Sequence, residues 1–382
     1  MKKWLGMYGI LIMAGLFSGL TGTVQTVEAA PTEVSQPSTD TEKRVEQILG
    51  HMSLEEKVGQ MMVLGIHGPQ IDEETDQLLQ QVKPGGIILY DANMQDPRQV
   101  TALNHDLQQH YGKQQPLFLG LDEEGGLVAR MKEHLSAPCS EEALGQTGRP
   151  VEARKSAIRI SQELKTLGFN MNFAPVADIG SGRERSFSKS ATVVADFVEA
   201  AAQGYEQENM IYVLKHFPGI GKGKADTHQD RVVVAASREE LQNEDMQPFR
   251  RIIGKYPVTD YFVMVSHVTY PALDAGNPAT LSRTIQTDLL RGQLGYTGVI
   301  ITDAMEMGAL SRYYSFDEIG IKAIQAGADI LLVSHGYEHE QAIYASVLAA
   351  VKAGVIPESR IDASVRRILK VKLGHLIDKT KR

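Results

Sequence analysis

The chain has 382 residues, 42% of them hydrophobic, which suffices to bury the core of one large α/β domain or of two ordinary ones. Its formal net charge of −8 disfavours nucleic acid and anionic membrane surfaces as partners, because both are bound by concentrated basic surfaces. A single cysteine, Cys139, excludes an internal disulfide and any multi-cysteine metal site. The composition is that of a globular protein.

The N-terminal residues have the pattern of an export signal. Lys2 and Lys3 precede an apolar run over residues 4–20, and small residues ending in Ala29 and Ala30 offer a cleavage site. We therefore predict a signal peptide over residues 1–30 and a protein that is secreted or associated with the cell envelope. The apolar run is also long enough for an uncleaved membrane anchor, which is the one way in which we expect the chain to contact a membrane.

A short linker separates this signal from the folded part of the chain. Residues 31–41 are polar and contain proline, which is typical of a flexible segment. Residues 42–382 are predicted to form one domain that opens with helices. Ser53 has the pattern of a helix cap, because acidic residues follow it in the next turn.

After the first helices, apolar runs and segments of helical periodicity alternate along the chain. The predicted strands are residues 61–66, 86–90, 117–122, 170–176, 212–216, 262–267, 299–303 and 330–334. The predicted helices include residues 151–167, 192–207, 238–255 and 315–326. The strands are continuous apolar runs, as is typical of parallel strands buried on both faces. Eight such units predict an α/β fold of the TIM type, a single-domain (β/α)₈ barrel, with a doubly wound open sheet as the alternative.

Polar side chains follow most of these strands. In a (β/α)₈ barrel, functional residues lie at the C-terminal ends of the strands. The strand ends that meet this expectation carry Asp122, Asp178, Lys215 with His216, Ser266 with His267, Asp303, and Ser334 with His335. Because these ends would meet at one face of the barrel, the sequence predicts a polar pocket there.

Asp303 is the first candidate for chemistry in this pocket. A carboxylate that leaves an apolar strand can serve as a nucleophile, a general base or a metal ligand, and it can equally cap a following helix. Asp122 has the same ambiguity, although Gly125 and Gly126 after it indicate close approach of the backbone to a ligand. Arg130 is a candidate donor of hydrogen bonds to a substrate.

A loop after the predicted strand 212–216 carries Asp226 and His228. In an extended loop, residues i and i+2 point to the same side, so the carboxylate can orient and charge the imidazole. This spacing predicts an acid/base dyad, with a solvated loop histidine as the alternative. We interpret His216 and His267 as hydrogen-bond donors of the pocket wall rather than as bases, and a purely structural role for His267 stays open.

Six motifs together resemble glycoside hydrolase family 3, and within it the single-barrel β-N-acetylglucosaminidases of bacterial cell-wall turnover. The motifs are residues 121–126, 172–178, 185–187, 215–219, 226–228 and 301–307. The resemblance covers roughly residues 42–375. Six motifs in the family's order are a specific signal, where any one alone would be weak.

The resemblance implies a β-N-acetylhexosaminidase without a cofactor. It would remove terminal N-acetylglucosamine from peptidoglycan fragments or chito-oligosaccharides with retention of configuration. Asp303 matches the nucleophile that forms a covalent glycosyl intermediate, His228 matches the acid/base, and Asp226 matches its dyad partner. The positions that match the binding site for the sugar are Asp122, Arg130, Arg185, Lys215 and His216.

Two positions depart from the family pattern. Ile220 stands where the family usually has histidine, and Leu127 stands where it usually has arginine or another polar residue. These changes leave the substrate preference and the level of activity open. Hydrolysis and phosphorolysis are also not separated, because a neutral imidazole does not repel an anionic acceptor.

Two interpretations of other kinds remain beside the glycosidase. In the first, His216, Asp226, His228 and Asp303 bind a metal ion, and the barrel is a metal-dependent hydrolase. In the second, the chain is a weakly active, cell-wall-binding member of the same family. A carbohydrate is the expected partner in the glycosidase and in the wall-binding protein. The oligomeric state stays open, with a monomer favoured.

Overall fold

The computed structural model describes residues 39–132, 134–223 and 227–377. Its strands are β1 (Met62–Leu64), β2 (Gly86–Ile88), β3 (Phe118–Leu121), β4 (Met171–Asn172), β5 (Ile211–Phe217), β6 (Tyr261–Val265), β7 (Thr269–Tyr270), β8 (Asp274–Pro278), β9 (Val299–Thr302) and β10 (Leu331–Val333). Its α-helices are α1 (Thr39–His51), α2 (Leu54–Gln60), α3 (Glu73–Val82), α4 (Pro97–Tyr111), α5 (Glu141–Gln146), α6 (Pro150–Thr166), α7 (Ala191–Gln207), α8 (Arg238–Glu240), α9 (Gln247–Ile252), α10 (Gly308–Ser311), α11 (Phe316–Ala326), α12 (Tyr337–Lys352) and α13 (Glu358–Lys372). Segments of 3₁₀-helix are Asp91–Asn93 and Ala279–Leu281, and segments of π-helix are Leu241–Asp245, Thr284–Gln293 and Leu373–Ile377.

Eight of these strands form a parallel barrel. Their order is β10, β1, β2, β3, β4, β5, β6 and β9, and every neighbouring pair is parallel. Ile301 pairs with Ile330 in a further parallel bridge, which links β9 to the start of β10 and so joins the two edges of the sheet. All eight predicted strands are present, and the (β/α)₈ prediction is confirmed. The open doubly wound sheet is wrong, because the two edges meet.

The barrel strands are buried on both faces, as their continuous apolar runs predict. Every residue of β5 and of β6 is buried. Phe118 of β3 and Phe262 of β6 meet edge to face with ring centroids 5.3 Å apart. Because β3 and β6 are not neighbours in the sheet, this contact crosses the interior of the barrel. The core of the domain is therefore filled by side chains rather than open as a channel.

The helix boundaries agree with the sequence at one position and differ at another. Ser53 caps α2: its Oγ accepts from the N–H of Glu56 at 3.2 Å, and its N–H donates to Glu56 Oε2 at 3.1 Å. The predicted helix 238–255 is present as α8, a π-helical segment and α9, and it ends at Ile252. Pro248, in the first turn of α9, has no backbone N–H with which to continue the preceding helix.

The predicted signal peptide, residues 1–30, lies outside the described residues, and so does most of the predicted linker 31–41. Helix α1 begins at Thr39, inside the end of that linker segment. Among the described helices, none has both the length and the apolar character that crossing a membrane requires. The division of the chain into signal, linker and domain stays a prediction.

A small antiparallel hairpin, β7 and β8, follows β6 at the C-terminal face of the barrel. Thr269 of β7 also pairs with Val233, which lies on the long loop between β5 and α8. This loop carries His228. The hairpin therefore extends the structure above the barrel strands and gives that loop a fixed partner.

Candidate active site

Asp122, Lys215 and Asp303 lie at the C-terminal ends of three barrel strands. Asp122 directly follows β3, Lys215 lies near the end of β5, and Asp303 directly follows β9. Because the strands are parallel, their C-terminal ends share one face of the barrel. Side chains that are far apart in sequence are brought together there.

A buried network of charges surrounds the ammonium group of Lys215. Its Nζ atom lies 2.5 Å from Asp122 Oδ1 and 2.6 Å from Glu124 Oε1. Arg185 donates to both oxygens of Glu124, from Nε at 2.6 Å and from Nη2 at 2.7 Å. Sequence reasoning missed Glu124. Its position two residues after Asp122 could have revealed it, because in extended backbone these side chains point to the same side.

The charges of this network are stable at neutral pH. Burial alone would raise the pKa of Glu124, but Lys215 and Arg185 lower it to about 2. Burial alone would likewise lower the pKa of Lys215, but Asp122 and Glu124 outweigh it, so that the pKa is raised. The pKa of Arg185 is raised in the same way by Glu124, against the effect of burial. The site thus presents fixed charges and hydrogen-bond donors to a polar ligand.

Arg130 forms a rim of the same site. Its Nη1 lies 2.7 Å from Asp91 Oδ2, and its Nη2 lies 3.8 Å from Asp122 Oδ2. The guanidinium group also lies 5.5 Å from the centre of the Tyr90 ring. Since the Asp91 side chain is 66% exposed, this ion pair faces solvent and is weak. A ligand can therefore compete with Asp91 for the donors of Arg130.

His216 is held by Asp178. Its Nδ1 lies 2.8 Å from Asp178 Oδ2, while Asp178 Oδ1 accepts from the N–H groups of His216 at 3.3 Å and Ile220 at 2.8 Å. Both side chains are buried. Sequence reasoning noted Asp178 at a strand end but gave it no role in the site. These contacts hold the imidazole and the start of the following loop in place.

Asp303 is anchored through its backbone and stays ionised. Its N–H donates to the carbonyl of Val265 at 3.1 Å, and its Oδ1 accepts from the N–H of Ala304 at 2.8 Å. Burial would raise the pKa of this carboxyl, but the imidazoles of His216 and His267 and the N–H of Ala304 outweigh it, so that the pKa is lowered. The helix-cap alternative for Asp303 is wrong, because the next helix, α10, begins only at Gly308.

His267 supports the segment that follows Asp303. Its Nε2 lies 2.8 Å from the carbonyl of Ala304, and its Nδ1 lies 2.7 Å from Thr280 Oγ1. Burial lowers the pKa of His267, although the negative charge of Asp303 opposes this effect. Both ring nitrogens are engaged by the protein, so His267 holds the Asp303 segment in place.

A second carboxylate lies on the segment after Asp303. Glu306 accepts from the N–H of Ser334 at 3.2 Å, and its Oε1 lies 3.0 Å from Nδ1 of His335. Burial would raise the pKa of Glu306, but these hydrogen bonds outweigh it and lower the pKa. Glu306 thus ties the strand end at Ser334 and His335 to the Asp303 segment, which sequence reasoning did not foresee.

His228 lies at a pocket with a volume of about 310 Å³. Thr227, His228, Asp178 and Arg185 are among the residues that line this pocket. The His228 carbonyl accepts from the N–H of Gly308 at 3.1 Å. The structure therefore brings His228 to the same face as the charged network.

Asp226 lies outside the described residues, so the Asp226–His228 dyad stays a prediction. The metal alternative also includes Asp226 among its ligands. Within the described ranges, no three His, Cys, Asp or Glu side chains are grouped as ligands of a metal ion.

The two departures from the family pattern lie in different places. Ile220 lines the pocket beside His228, and Leu127 is 60% exposed at a neighbouring pocket with Arg130.

A parallel (β/α)₈ barrel with buried, fixed charges at the C-terminal ends of its strands has the architecture of a barrel enzyme. Residues 53–371 match the glycosyl hydrolase family 3 N-terminal domain. The chain belongs to glycosyl hydrolase family 3. The resemblance that the sequence motifs carried is thereby confirmed.

Relatives within this family are named as hexosaminidases. Beta-hexosaminidase A of Pseudoalteromonas piscicida is 33% identical over 329 residues, covering 78% of this chain and 55% of that protein. A beta-hexosaminidase of Nitrosomonas eutropha is 31% identical over 283 residues, covering 71% of this chain and 80% of that protein. A solved family 3 beta-N-acetylglucosaminidase from Paenibacillus sp. superposes with a TM-score of 0.82 at 38% identity, covering 86% of this chain and 63% of that one. The chain thus spans little more than half of the Pseudoalteromonas protein and under two thirds of the Paenibacillus protein.

Proposed function

We propose that this chain is a retaining exo-β-N-acetylglucosaminidase that acts on peptidoglycan fragments or chito-oligosaccharides. The observation that carries the proposal is Asp303, an ionised carboxylate at a strand end, on a segment hydrogen-bonded to the loop of His228. Retaining glycosidases need a carboxylate nucleophile opposite a proton donor. The names of the family relatives support N-acetylglucosamine as the sugar.

In the proposed reaction Asp303 attacks the anomeric carbon and forms a covalent glycosyl ester. A lowered pKa suits this role, because the nucleophile must be ionised when the substrate binds. His228 protonates the oxygen of the leaving group in this step and then accepts a proton from the water that hydrolyses the ester. Histidine titrates near neutral pH, so one imidazole can serve both steps. Asp226 is proposed to orient it.

The charged network is proposed to hold the sugar before attack. Asp122, whose side chain is 19% exposed, offers carboxylate oxygens to the sugar hydroxyls. Lys215, His216 and Arg185 supply donors for hydroxyls and the acetamido group, and Arg130 borders the site at its rim. Because Glu124 and Asp178 already fix these donors, binding requires little rearrangement.

We also propose that the protein is exported. The support is the N-terminal pattern of Lys2 and Lys3 followed by an apolar run and a small-residue cleavage site. Export would bring the enzyme to the cell wall, whose glycan contains the proposed substrate. Fractionation of producing cells, with detection of the chain in medium, envelope and cytoplasm, tests this; a chain confined to the cytoplasm would contradict it.

The test of the activity uses 4-nitrophenyl N-acetyl-β-glucosaminide and the matching glucoside. We expect the wild type to cleave the glucosaminide preferentially and Asp303→Ala to lose at least about 10³-fold in kcat. A 5-fluoro N-acetylglucosaminyl fluoride should add one glycosyl mass to the wild type, with loss of the anomeric fluoride, and none to Asp303→Ala. The control is Asp288→Ala, which removes an exposed aspartate. Full activity of Asp303→Ala would overturn the proposal, and so would muropeptide binding without turnover by the wild type.

A further inference from the structure

Two backbone hydrogen bonds connect the His228 loop to the segment that follows Asp303. The N–H of Gly308 donates to the carbonyl of His228, and the N–H of Ala309 donates to the carbonyl of Thr227, each at 3.1 Å. The donors stand only five and six residues after Asp303. These two hydrogen bonds thus join the loop of the proposed acid/base directly to the segment that carries the proposed nucleophile.

The Asp303 side of this connection is anchored to the barrel. The N–H of Asp303 donates to the carbonyl of Val265 in β6 at 3.1 Å, and the N–H of Met305 donates to the carbonyl of Leu332 in β10 at 3.0 Å. Barrel strands are the most rigid part of such a fold. Gly308 and Ala309 therefore present their N–H groups from a fixed position.

The loop side is held on its other flank by the hairpin. The N–H of Thr269 donates to the carbonyl of Val232 at 2.9 Å, and the N–H of Val234 donates to the carbonyl of Thr269 at 3.0 Å. Between these two attachments, the Arg231 guanidinium lies 3.6 Å from the centre of the Tyr313 ring, just after α10. Residues 227–234 are thus fastened at both ends and in the middle.

Gly308 is the position at which this contact requires the absence of a side chain. A Cβ atom there would lie 2.6 Å from the carbonyl oxygen of Gln229 and 2.8 Å from that of His228. Real Cβ atoms do not approach backbone oxygens so closely, and these oxygens cannot rotate away as a flexible side chain can. The backbone φ of Gly308 is one that other residues adopt, so space, rather than conformation, demands glycine here.

We infer that Gly308 is a positioning residue for His228, and that the two N–H groups at the start of α10 set the placement of the acid/base relative to Asp303. This inference rests on the proposed function of His228. Any side chain at position 308 pushes residues 227–229 away from the Asp303 segment. A displacement of a few tenths of an ångström to 1 Å at a proton donor weakens protonation of the leaving group while leaving the nucleophile in place.

The experiment compares kcat/KM of Gly308→Ala on two substrates with the same sugar. Cleavage of the 4-nitrophenyl glycoside needs little protonation, whereas cleavage of N,N′-diacetylchitobiose needs full protonation of the leaving oxygen. We expect Gly308→Ala to lose about 10- to 100-fold on chitobiose and less than about threefold on the nitrophenyl substrate. His228→Ala should show the same selectivity with a larger loss.

The matched control is Gly50→Ala in α1, where no heavy atom lies within 4 Å of the added Cβ; it should retain activity on both substrates. Ala309→Pro provides a second variant, because it removes the N–H to Thr227 without filling the space at Gly308. It should show the same selective loss and carries the test if Gly308→Ala does not fold. Circular dichroism and thermal unfolding establish folding of each variant.

The outcomes separate the two proposals. If His228→Ala loses equally on both substrates, the acid/base role in the proposed function fails. If His228→Ala is selective but folded Gly308→Ala and Ala309→Pro behave like wild type, or lose equally on both substrates, the positioning role of Gly308 is overturned and the proposed function stands.

Discussion

Nδ1 of His216 lies 2.8 Å from Oδ2 of Asp178, although the two residues are 38 positions apart in the sequence. A carboxylate accepts, so Nδ1 must donate, and this fixes the tautomer and the plane of the imidazole. His216 is one of the groups that lower the pKa of Asp303 against the effect of burial. Asp178 therefore acts on the proposed nucleophile through His216.

Substituting Asp178 tests this relationship. Asp178→Asn keeps the shape but replaces one acceptor by an NH₂ group, which opposes the N–H donors of His216 and Ile220. We expect kcat to fall about 10- to 100-fold and the free energy of unfolding to fall by about 1–3 kcal/mol. Kinetics with the nitrophenyl substrate and urea unfolding measure both. The control is Asp288→Asn on the surface; an Asp178→Asn enzyme as active as this control would show that His216 needs no carboxylate.

Glu124 is expected to be more important for stability than any residue the sequence singled out in this network. Glu124→Gln removes the negative charge that pairs with both Lys215 and Arg185 in a buried place. We expect a loss of about 3 kcal/mol in the free energy of unfolding and a raised KM, because the buried Lys215 loses one of its two carboxylates and the partly exposed Arg185 loses its carboxylate partner. Glu142→Gln, an exposed site on α5, is the control. Equal unfolding midpoints in urea for the two variants would count against the network.

The buried Lys372 is expected to give the free energy of unfolding an unusual dependence on pH. This side chain is fully buried; its Nζ donates to Gln60 Oε1 at 2.7 Å and to the Gly85 carbonyl at 2.9 Å, and burial lowers its pKa to about 7. An unfolded lysine has a pKa near ~10.4, so between pH 7 and pH 10 the unfolded chain binds more protons than the folded one. The free energy of unfolding should therefore rise with pH in this window, by up to about 1.4 kcal/mol per pH unit, relative to Lys372→Met.

Below pH 7 Lys372 carries its proton in both the folded and the unfolded chain. The difference in the free energy of unfolding between wild type and Lys372→Met should therefore become constant there. Urea unfolding at pH 6, 7, 8 and 9 measures the difference. Lys113→Met, which removes an exposed lysine, serves as the control. The difference in the free energy of unfolding between wild type and Lys113→Met should not change with pH, and a change as large as that for Lys372→Met would contradict the assignment to Lys372.

Removal of metal ions separates the glycosidase from the metal-dependent hydrolase. We expect exhaustive dialysis against EDTA to leave kcat and KM on the nitrophenyl glucosaminide unchanged within about twofold, because the proposed reaction uses only a carboxylate and an imidazole. Re-addition of Zn²⁺ to the dialysed enzyme is the companion measurement. Activity that disappears on dialysis and returns with Zn²⁺ would support the metal-dependent alternative.

Local pattern was sufficient to predict the barrel and many of the candidate residues. Strands buried on both faces need continuous apolar runs, and all eight runs are barrel strands. Because the C-terminal ends of parallel strands share one face, the polar residues that end those runs, such as Asp122 and Asp303, could be assigned to one site before any contact was known. The capping box at Ser53 could also be predicted, because Ser53 and its partner Glu56 are only three residues apart.

Contacts between distant residues were not predictable in this way. Glu124 meets Arg185 across 61 positions, and Asp178 meets His216 across 38, and nothing in the neighbourhood of either residue specifies its partner. The pairing depends on which strands are neighbours and on how deeply each side chain is buried. The same holds for Gly308, whose need for an empty position arises only where the loop of His228 packs against it. Periodicity in the sequence reflects whether each residue is buried or exposed. Charge pairing and close approach depend on which distant residues the tertiary structure brings together.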